Sequence, residues 1–239
     1  MDETESAAPA AAWAGFYGAA RRNRNVYPTE WVVRVLAGGK YPGLDLDHTG
    51  FAEKRALDLS CGDGRNLGLL RDLALEVHAT EISEPMVAAL RARNAEMGWN
   101  AEFRGGKSHA IPYPDGFFSL VLACASCYYL EGAAAFADVL EEIRRCLEPG
   151  GWFVGSIPDP YSFIARDAVH LEDGSIAVRN DPFGLRNGTR LMIAQDRGHL
   201  ESMLAPRFEA ISVGHLDDDY FGLRVSGFIF ACRKPADGD

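Results

Sequence analysis

Residues 54–70 read KRALDLSCGDGRNLGLL: an apolar run ends in a turn with Gly62 and Gly64, and apolar spacing resumes at Leu67 and Leu70. A short buried strand, a tight loop and the first turns of a helix account for this pattern. Gly62, Gly64 and Gly68 make GxGxxxG, which lacks the spacing of a dinucleotide fingerprint, and no Lys-Ser or Lys-Thr closes this loop to hold a triphosphate. Glycine at 62 and 64 still lets the backbone come close to a ligand. Asp63 disfavours an anion at the helix start, so a ligand with a neutral or cationic portion fits better. Glu81, seventeen residues beyond Gly64, falls at the end of the next predicted strand, where a carboxylate can accept hydrogen bonds from a ribose diol.

Working outward, Arg55–Ser60 reads as a buried strand, Arg65–Leu73 as a helix and Leu75–Thr80 as a second strand. A helix over about Glu84–Met97 turns Met86, Val87, Leu90 and Met97 inward. Ala101–Arg104 is a weak third strand and Phe117–Ala123 a strong fourth; a helix over about Ala133–Cys146 is stopped by EPGG at 148–151, and WFVGSI forms the fifth strand. This alternation predicts an α/β, Rossmann-like fold: a mainly parallel seven-stranded sheet with an antiparallel last strand and helices on both faces. Right-handed crossovers then gather the loops after the strands on one edge.

After Ile157 the rhythm breaks, and residues 158–194 are expected to form a substrate cap inserted into a core of residues 51–239. The insertion is expected to hold a short helix over about Tyr161–Leu171 and a hairpin with turns at DG, NDP and NG. A helix near Gln195–Leu204 and the strands FEAISVGHL and RVSGFIFACRK complete the sheet. Residues 13–50 read as a helical cap of two short helices, the second opened by Pro28, with Arg21, Arg22 and Arg24 on the first; residues 1–12 read as a flexible acidic, alanine-rich tail.

The formal charge of −10 across 239 residues argues against nonspecific attraction to nucleic acid or an anionic membrane. No run is long enough for a membrane span, and the acidic start does not resemble a secretory signal, so a cytoplasmic protein is expected. Cys61, Cys124, Cys127, Cys146 and Cys232 are odd in number and lie mostly in apolar runs, as reduced, buried cysteines do. Cys124 and Cys127 have CxxC spacing without a second pair, so no metal site is expected.

ALDLSCGDGRN at 56–66 resembles VLDLGCGxGxxx, the cofactor signature of class I S-adenosylmethionine-dependent methyltransferases. HATEISEPM at 78–86 carries an acid where the family has one after its second strand; GGKSHAIPYPDGFFSLV at 105–121 and CLEPGGWF at 146–153 echo two further family segments. The resemblance covers about residues 55–157 and implies S-adenosyl-L-methionine as cofactor, with S-adenosyl-L-homocysteine as product. It also implies that Cys61, Gly62 and Gly64 run along the methionine portion with Asp58 near its amino group, and that Asn66 belongs to the same site. Glu81 would hold the ribose hydroxyls, and Ile82 and Met86 would lie beside the adenine. Lys107 departs from the Asp that the family often has there, which passes contact with the adenine amino group to Ser108, His109 or a backbone carbonyl.

The acceptor is expected to be a small molecule methylated on nitrogen or oxygen. His215 and Asp217, read as lying where HLDDDYFG (215–222) leaves the sixth strand, are candidates for a general base. Asp218 and Tyr220 in the same stretch, Tyr128 and Tyr129 after the fourth strand, and Tyr17 near the N-terminus are candidate acceptor contacts. GWFVGSIPDPYSFI at 151–164 is also similar to a stretch of messenger RNA cap guanine-N7 methyltransferases, which leaves a nucleic-acid acceptor as one alternative and a noncatalytic protein of the same fold as another.

Overall fold

The structure, a computed structural model, describes residues 13, 15, 26–48, 53–73 and 75–236. In chain order, α1 (Glu30–Leu36) is followed by β1 (Arg55–Asp58), α2 (Leu67–Asp72), β2 (Glu76–Glu81), α3 (Glu84–Met97), β3 (Glu102–Gly105) and β4 (Phe118–Ala123). Next come β5 (Tyr129–Leu130), α4 (Phe136–Cys146), β6 (Leu147–Pro158), β7 (Val169–His170), β8 (Ser175–Ala177) and β9 (Arg190–Met192). The chain ends with α5 (Arg197–Leu204), β10 (Glu209–Tyr220) and β11 (Leu223–Arg233). Of the expected first N-terminal helix, Trp13 and Gly15 are described; Tyr17, Arg21, Arg22, Arg24 and the tail over 1–12 lie outside the described residues. The second helix starts two residues after Pro28, with Thr29 as its N-cap.

Seven strands form one sheet in the order β10-β11-β6-β4-β1-β2-β3. Strands β1, β2, β3, β4 and β6 pair in parallel, and β11 runs against both of its neighbours, as the strand–helix alternation predicts. All six residues of β4 are buried, because helices cover both faces. Leu57, Val121 and Phe153 point to the face packed by Val139, Leu140 and Ile143 of α4 and by Leu200 and Leu204 of α5. Ala56, Leu120 and Val154 point to the opposite face, covered by Val32 and Leu36 of α1, Leu67 and Leu70 of α2, and Val87 and Leu90 of α3. Each buried Leu or Val adds about 1.5–3 kcal/mol, so the central strands anchor everything attached to their ends.

Local chemistry sets the helix limits. The α3 helix has a proline in its first turn and ends at Gly98 in the left-handed region (φ 62°). The Asp138 carboxylate accepts from the Ala135 N–H at 2.8 Å at the start of α4, and Asp196 accepts from the His199 N–H at 2.8 Å at the start of α5. EPGG does stop α4 at Cys146, yet it belongs to β6: Phe118 pairs with Leu147 and Leu120 with Trp152, so residues 148–151 bulge out opposite Ser119.

Two expectations on the C-terminal side are corrected. Residues 160–167 form successive turns instead of a helix. The Asp159 carboxylate accepts from the backbone N–H of Tyr161 (2.8 Å) and Ser162 (3.1 Å), and the Phe163 N–H donates to the Arg224 carbonyl at 2.8 Å, which draws the chain across to β11. The hairpin does form, with Gly174 at its DG turn, and β5 joins it in a second sheet of order β5-β9-β8-β7. Residues 215–220 are strand, not connection: β10 stays paired from Ser212 to Tyr220, and Phe221 and Gly222 turn the hairpin with positive φ. Alternation along the strand relieves the three adjacent carboxylates, putting Asp217 and Asp219 on one face and Asp218 on the other.

The connections from β1 and β4 leave toward opposite halves of the sheet, which opens a crevice beyond their C-terminal ends. Gly64 closes the loop on one side of it, with φ +78° and room for no Cβ: an added methyl would lie 2.7 Å from the Trp99 ring. Gly64→Ala is therefore expected to cost about 1–3 kcal/mol, read as a lower urea midpoint; an unchanged midpoint would contradict this packing.

Candidate active site

The ends of four parallel strands are tied together before any ligand is considered. The Leu59 N–H donates to the Leu122 carbonyl (2.8 Å), the Cys61 N–H to the Thr80 carbonyl (3.0 Å) and the Ser126 hydroxyl to the Leu59 carbonyl (2.6 Å). The Ala125 N–H donates to the Ser156 hydroxyl at 3.0 Å, which brings in the end of β6. Ser60 (φ 53°) and Ala125 (φ 57°) both adopt the left-handed region without being glycine, one beyond β1 and one beyond β4. Backbone strain of this kind collects where a loop is shaped for a ligand.

Between these loops lies a cleft of about 690 Å³. Asp58, Ser60, Cys61, Gly62 and Asn66 form its floor, Cys124 and Ala125 its middle, and Tyr128, Tyr129, Phe163 and Arg186 one end. Leu216, Asp218 and Tyr220 of β10 also line it, as do Thr29, Trp31 and Arg34 at the start of α1 and within it. The Thr29 N–H donates to Asn66 Oδ1 (3.0 Å) and the Cys124 thiol to the Thr29 hydroxyl (3.4 Å), so α1 is fastened to the floor.

Asp58 is the chemically distinctive group. It is 1% exposed, and its Oδ2 has no hydrogen-bond partner among the described residues. Burial first, then the negative charges of Glu81 and Asp63, push its pKa up to about 8. Glu81 is also buried; its Oε1 accepts from the Gly62 N–H (2.5 Å) and its Oε2 from the Ile82 N–H (3.0 Å). Burial raises the Glu81 pKa to about 7 against the opposing pull of those two donors. A desolvated carboxylate with an unpaired oxygen on the cleft floor, and a second one bonded just behind it through Gly62, suit a cation and hydrogen-bond donors.

The structure brings most of the expected residues to this cleft. Asp58, Cys61, Gly62, Asn66, Tyr128, Tyr129, Asp218 and Tyr220 line it. Gly64 lies behind the floor against Trp99, and Glu81 reaches the floor through its bond to Gly62. Ile82, Met86, Ser108 and His109 are not among the lining residues, although the Gly106 N–H bonds the Glu81 carbonyl (2.9 Å) and so ties their loop to the same edge. Lys107 is held aside by an ion pair with Glu131 at 3.2 Å.

His215 and Asp217 do not line the cleft, which corrects their expected place as bases at the acceptor. Alternation puts both on the strand face of their cross-strand partners Phe228 and Ser226, where each is taken up by a neighbouring charged group. His215 Nε2 lies 2.8 Å from Asp159 Oδ2, and Asp217 is paired with Arg224 at 2.6 Å. Arg186, Phe163 and Thr29 are lining residues that the sequence did not single out. Arg186 sits in DPFGLRNG, where only turn formation is legible, and it reaches the cleft through contacts far away in sequence. Among the described residues no group of three or more His, Cys, Asp or Glu is arranged to hold a metal ion, and no helix is long and apolar enough to cross a membrane.

Residues 57–155 match the family described as "Methyltransferase domain". Demethylmenaquinone methyltransferase of Thermus thermophilus is 32% identical over 105 residues, which make up 43% of this chain and 46% of the relative. The chain thus spans less than half the length of that curated protein. Among solved structures, an S-adenosylmethionine-dependent methyltransferase from Methanosarcina mazei aligns with TM-score 0.63 at 19% identity, covering 81% of this chain and 100% of that one. The 1,6-didemethyltoxoflavin-N1-methyltransferase of Burkholderia thailandensis, solved with 1,6-didemethyltoxoflavin and S-adenosylhomocysteine bound, aligns with TM-score 0.64 at 16% identity over 98% of this chain and 91% of that one. At these identities the structural likeness is one of fold.

A raised carboxylate pKa has a stability consequence of definite sign. Between about pH 4 and pH 8 the native state keeps a proton on Asp58 that the unfolded chain has lost, so this group lowers stability progressively as pH rises through that window. Asp58→Asn removes the titration. At pH 8.5 the ligand-free variant is expected to melt higher than wild type, on the order of 5 °C, with the gap narrowing toward pH 5. A variant that melts lower at pH 8.5 would show that Asp58 is paired in solution.

Proposed function

We propose that this chain, a member of the class I S-adenosylmethionine-dependent methyltransferases by its residues 57–155 and its fold, binds S-adenosylmethionine on the cleft floor and methylates a nitrogen or oxygen of a small molecule held at the Tyr128–Tyr129 end. The observation that carries this reading is Asp58, a buried carboxylate that lines the cleft beside the Gly62–Gly64 loop and has one oxygen without a hydrogen-bond partner among the described residues. An ammonium group is its natural partner, and the adjacent backbone leaves room for the chain that bears one. In this reading the ribose diol falls to Glu81, which is held at the end of β2 by its bond to Gly62.

When bound, S-adenosylmethionine supplies a methyl group on a positively charged sulfur, so transfer needs an in-line nucleophile and little else. The work of this chain is then positioning and exclusion of water. Among the described residues no histidine lines the cleft. Apart from Asp58, which this reading gives to the cofactor, its acids are engaged: Glu30 with Arg34 (2.7 Å), Asp63 with Arg65 (2.9 Å), and Asp218 near the Tyr220 hydroxyl (3.4 Å). This favours an acceptor nitrogen with an available lone pair over an alcohol that must lose its proton to a base. The cleft arginines 34, 65 and 186 each face an acid, and the chain is acidic overall, which weighs against a nucleic-acid acceptor.

Two measurements test this. Calorimetry with S-adenosylhomocysteine is expected to show binding that Glu81→Ala weakens by roughly tenfold to a hundredfold, the loss of charge-assisted hydrogen bonds worth about 1.5–3 kcal/mol. No binding by folded wild type would end the cofactor assignment. Incubation with methyl-labelled S-adenosylmethionine and either a fractionated metabolite extract or capped RNA is expected to label small molecules. Label confined to RNA would reverse the choice of acceptor class, and label in neither would favour a noncatalytic role.

A further inference from the structure

Arg186 is held in place by more interactions than a solvent-facing side chain needs. The Asp181 carboxylate, fully buried, accepts from the backbone N–H groups of Leu185 (2.9 Å) and Arg186 (3.0 Å) and from Arg186 Nη1 (3.2 Å). Arg186 Nε donates to the Tyr129 hydroxyl at 3.0 Å. The guanidinium carbon lies 4.9 Å from the Trp13 ring centroid and 5.8 Å from that of Phe163. One face of the cleft end is thus a fixed, planar cation between aromatic rings, with both its charge partner and its orientation supplied by the protein. Its Nη2 has no acceptor among the described residues, and the side chain lines the cleft.

We infer that Arg186 is the specificity-determining residue of the acceptor subsite, and that it selects a flat, conjugated ring carrying a carbonyl or enolate oxygen for Nη2 to bond. This rests on the methyl-transfer reading above and names its substrate class. The aromatic walls formed by Tyr129, Phe163 and Trp13 favour a planar ring. The guanidinium already fills the cation position among them, so a second positive charge is disfavoured there. Asp181 balances the charge of Arg186, so the subsite offers directed hydrogen bonding more than a strong positive field, and a neutral oxo group suffices. Asp181 and Tyr129 are positioning residues in this scheme, since each acts through Arg186.

The test compares ring pairs that differ in the oxygen: xanthine against purine, and 4-quinolone against quinoline. Each is titrated calorimetrically into the full chain saturated with S-adenosylhomocysteine. Wild type is expected to bind the oxo member of each pair at least about tenfold more tightly. Arg186→Met should abolish that preference while S-adenosylhomocysteine affinity stays within about twofold. Arg186→Lys, which keeps a charge opposite Asp181 and guards against misfolding of the methionine variant, should retain a reduced preference. Equal binding within the pairs, no binding of either oxo compound, or a preference that survives in both variants would overturn the inference and leave the methyl-transfer reading standing. Failure of wild type to bind S-adenosylhomocysteine would sink the methyl-transfer reading itself, and this subsite with it.

Discussion

The Asp58 carboxylate ends a central strand and lines the cleft, is almost completely buried, and has one oxygen with nothing from the described protein to bond it. Such a group destabilises the ligand-free fold, and the surrounding structure is arranged so that it cannot escape. β1 is paired on both sides in parallel, and the loop that follows is fixed by Leu59 to β4 and by Cys61 to β2. Relaxing Asp58 toward water would break these ties. The strand ends that impose this cost also form the cleft floor, so in the proposed role a cation arriving there would meet a site that needs no rearrangement.

The parallel half of the fold was legible because its information is local. β1, β2 and β4 are short apolar runs buried on both faces, the turns after them carry glycine, and α3 and α4 have clear stop signals at Gly98 and EPGG. The same locality made Asp58, Gly62 and Glu81 recognisable as a set, since one loop and one strand end hold all three. The bulge at 148–151 shows the limit: the sequence marks where the helix must stop, while sheet pairing with β4 decides that the interrupting residues remain in the strand.

The acceptor side was harder to read because long-range pairing overrides local pattern there. Three successive aspartates look like an exposed connection, yet pairing with β11 extends the strand through them and alternation assigns them to different faces. His215 was attractive as a base from its position at the sheet edge, and the same alternation turns it to Asp159. The 160–167 segment has apolar spacing suited to a helix, but the Asp159 carboxylate and the Arg224 carbonyl take its first N–H groups. Arg186 carries no local signal beyond the turn it sits in. Its place follows from Asp181, five residues away, and Tyr129, fifty-seven residues away.

The claim that Asp58 is the cation receptor has a direct thermodynamic signature. With a pKa near 8 in the ligand-free protein, Asp58 is mostly protonated at pH 7, and an ammonium group beside it stabilises the charged form, so binding must release a proton. Calorimetric titration of S-adenosylhomocysteine at pH 7, repeated in buffers of different ionisation enthalpy, measures that release. Wild type is expected to give up on the order of one proton per ligand bound, and Asp58→Asn to bind more weakly and release markedly less. Binding without proton release in wild type, or the same release in the variant, would contradict the assignment.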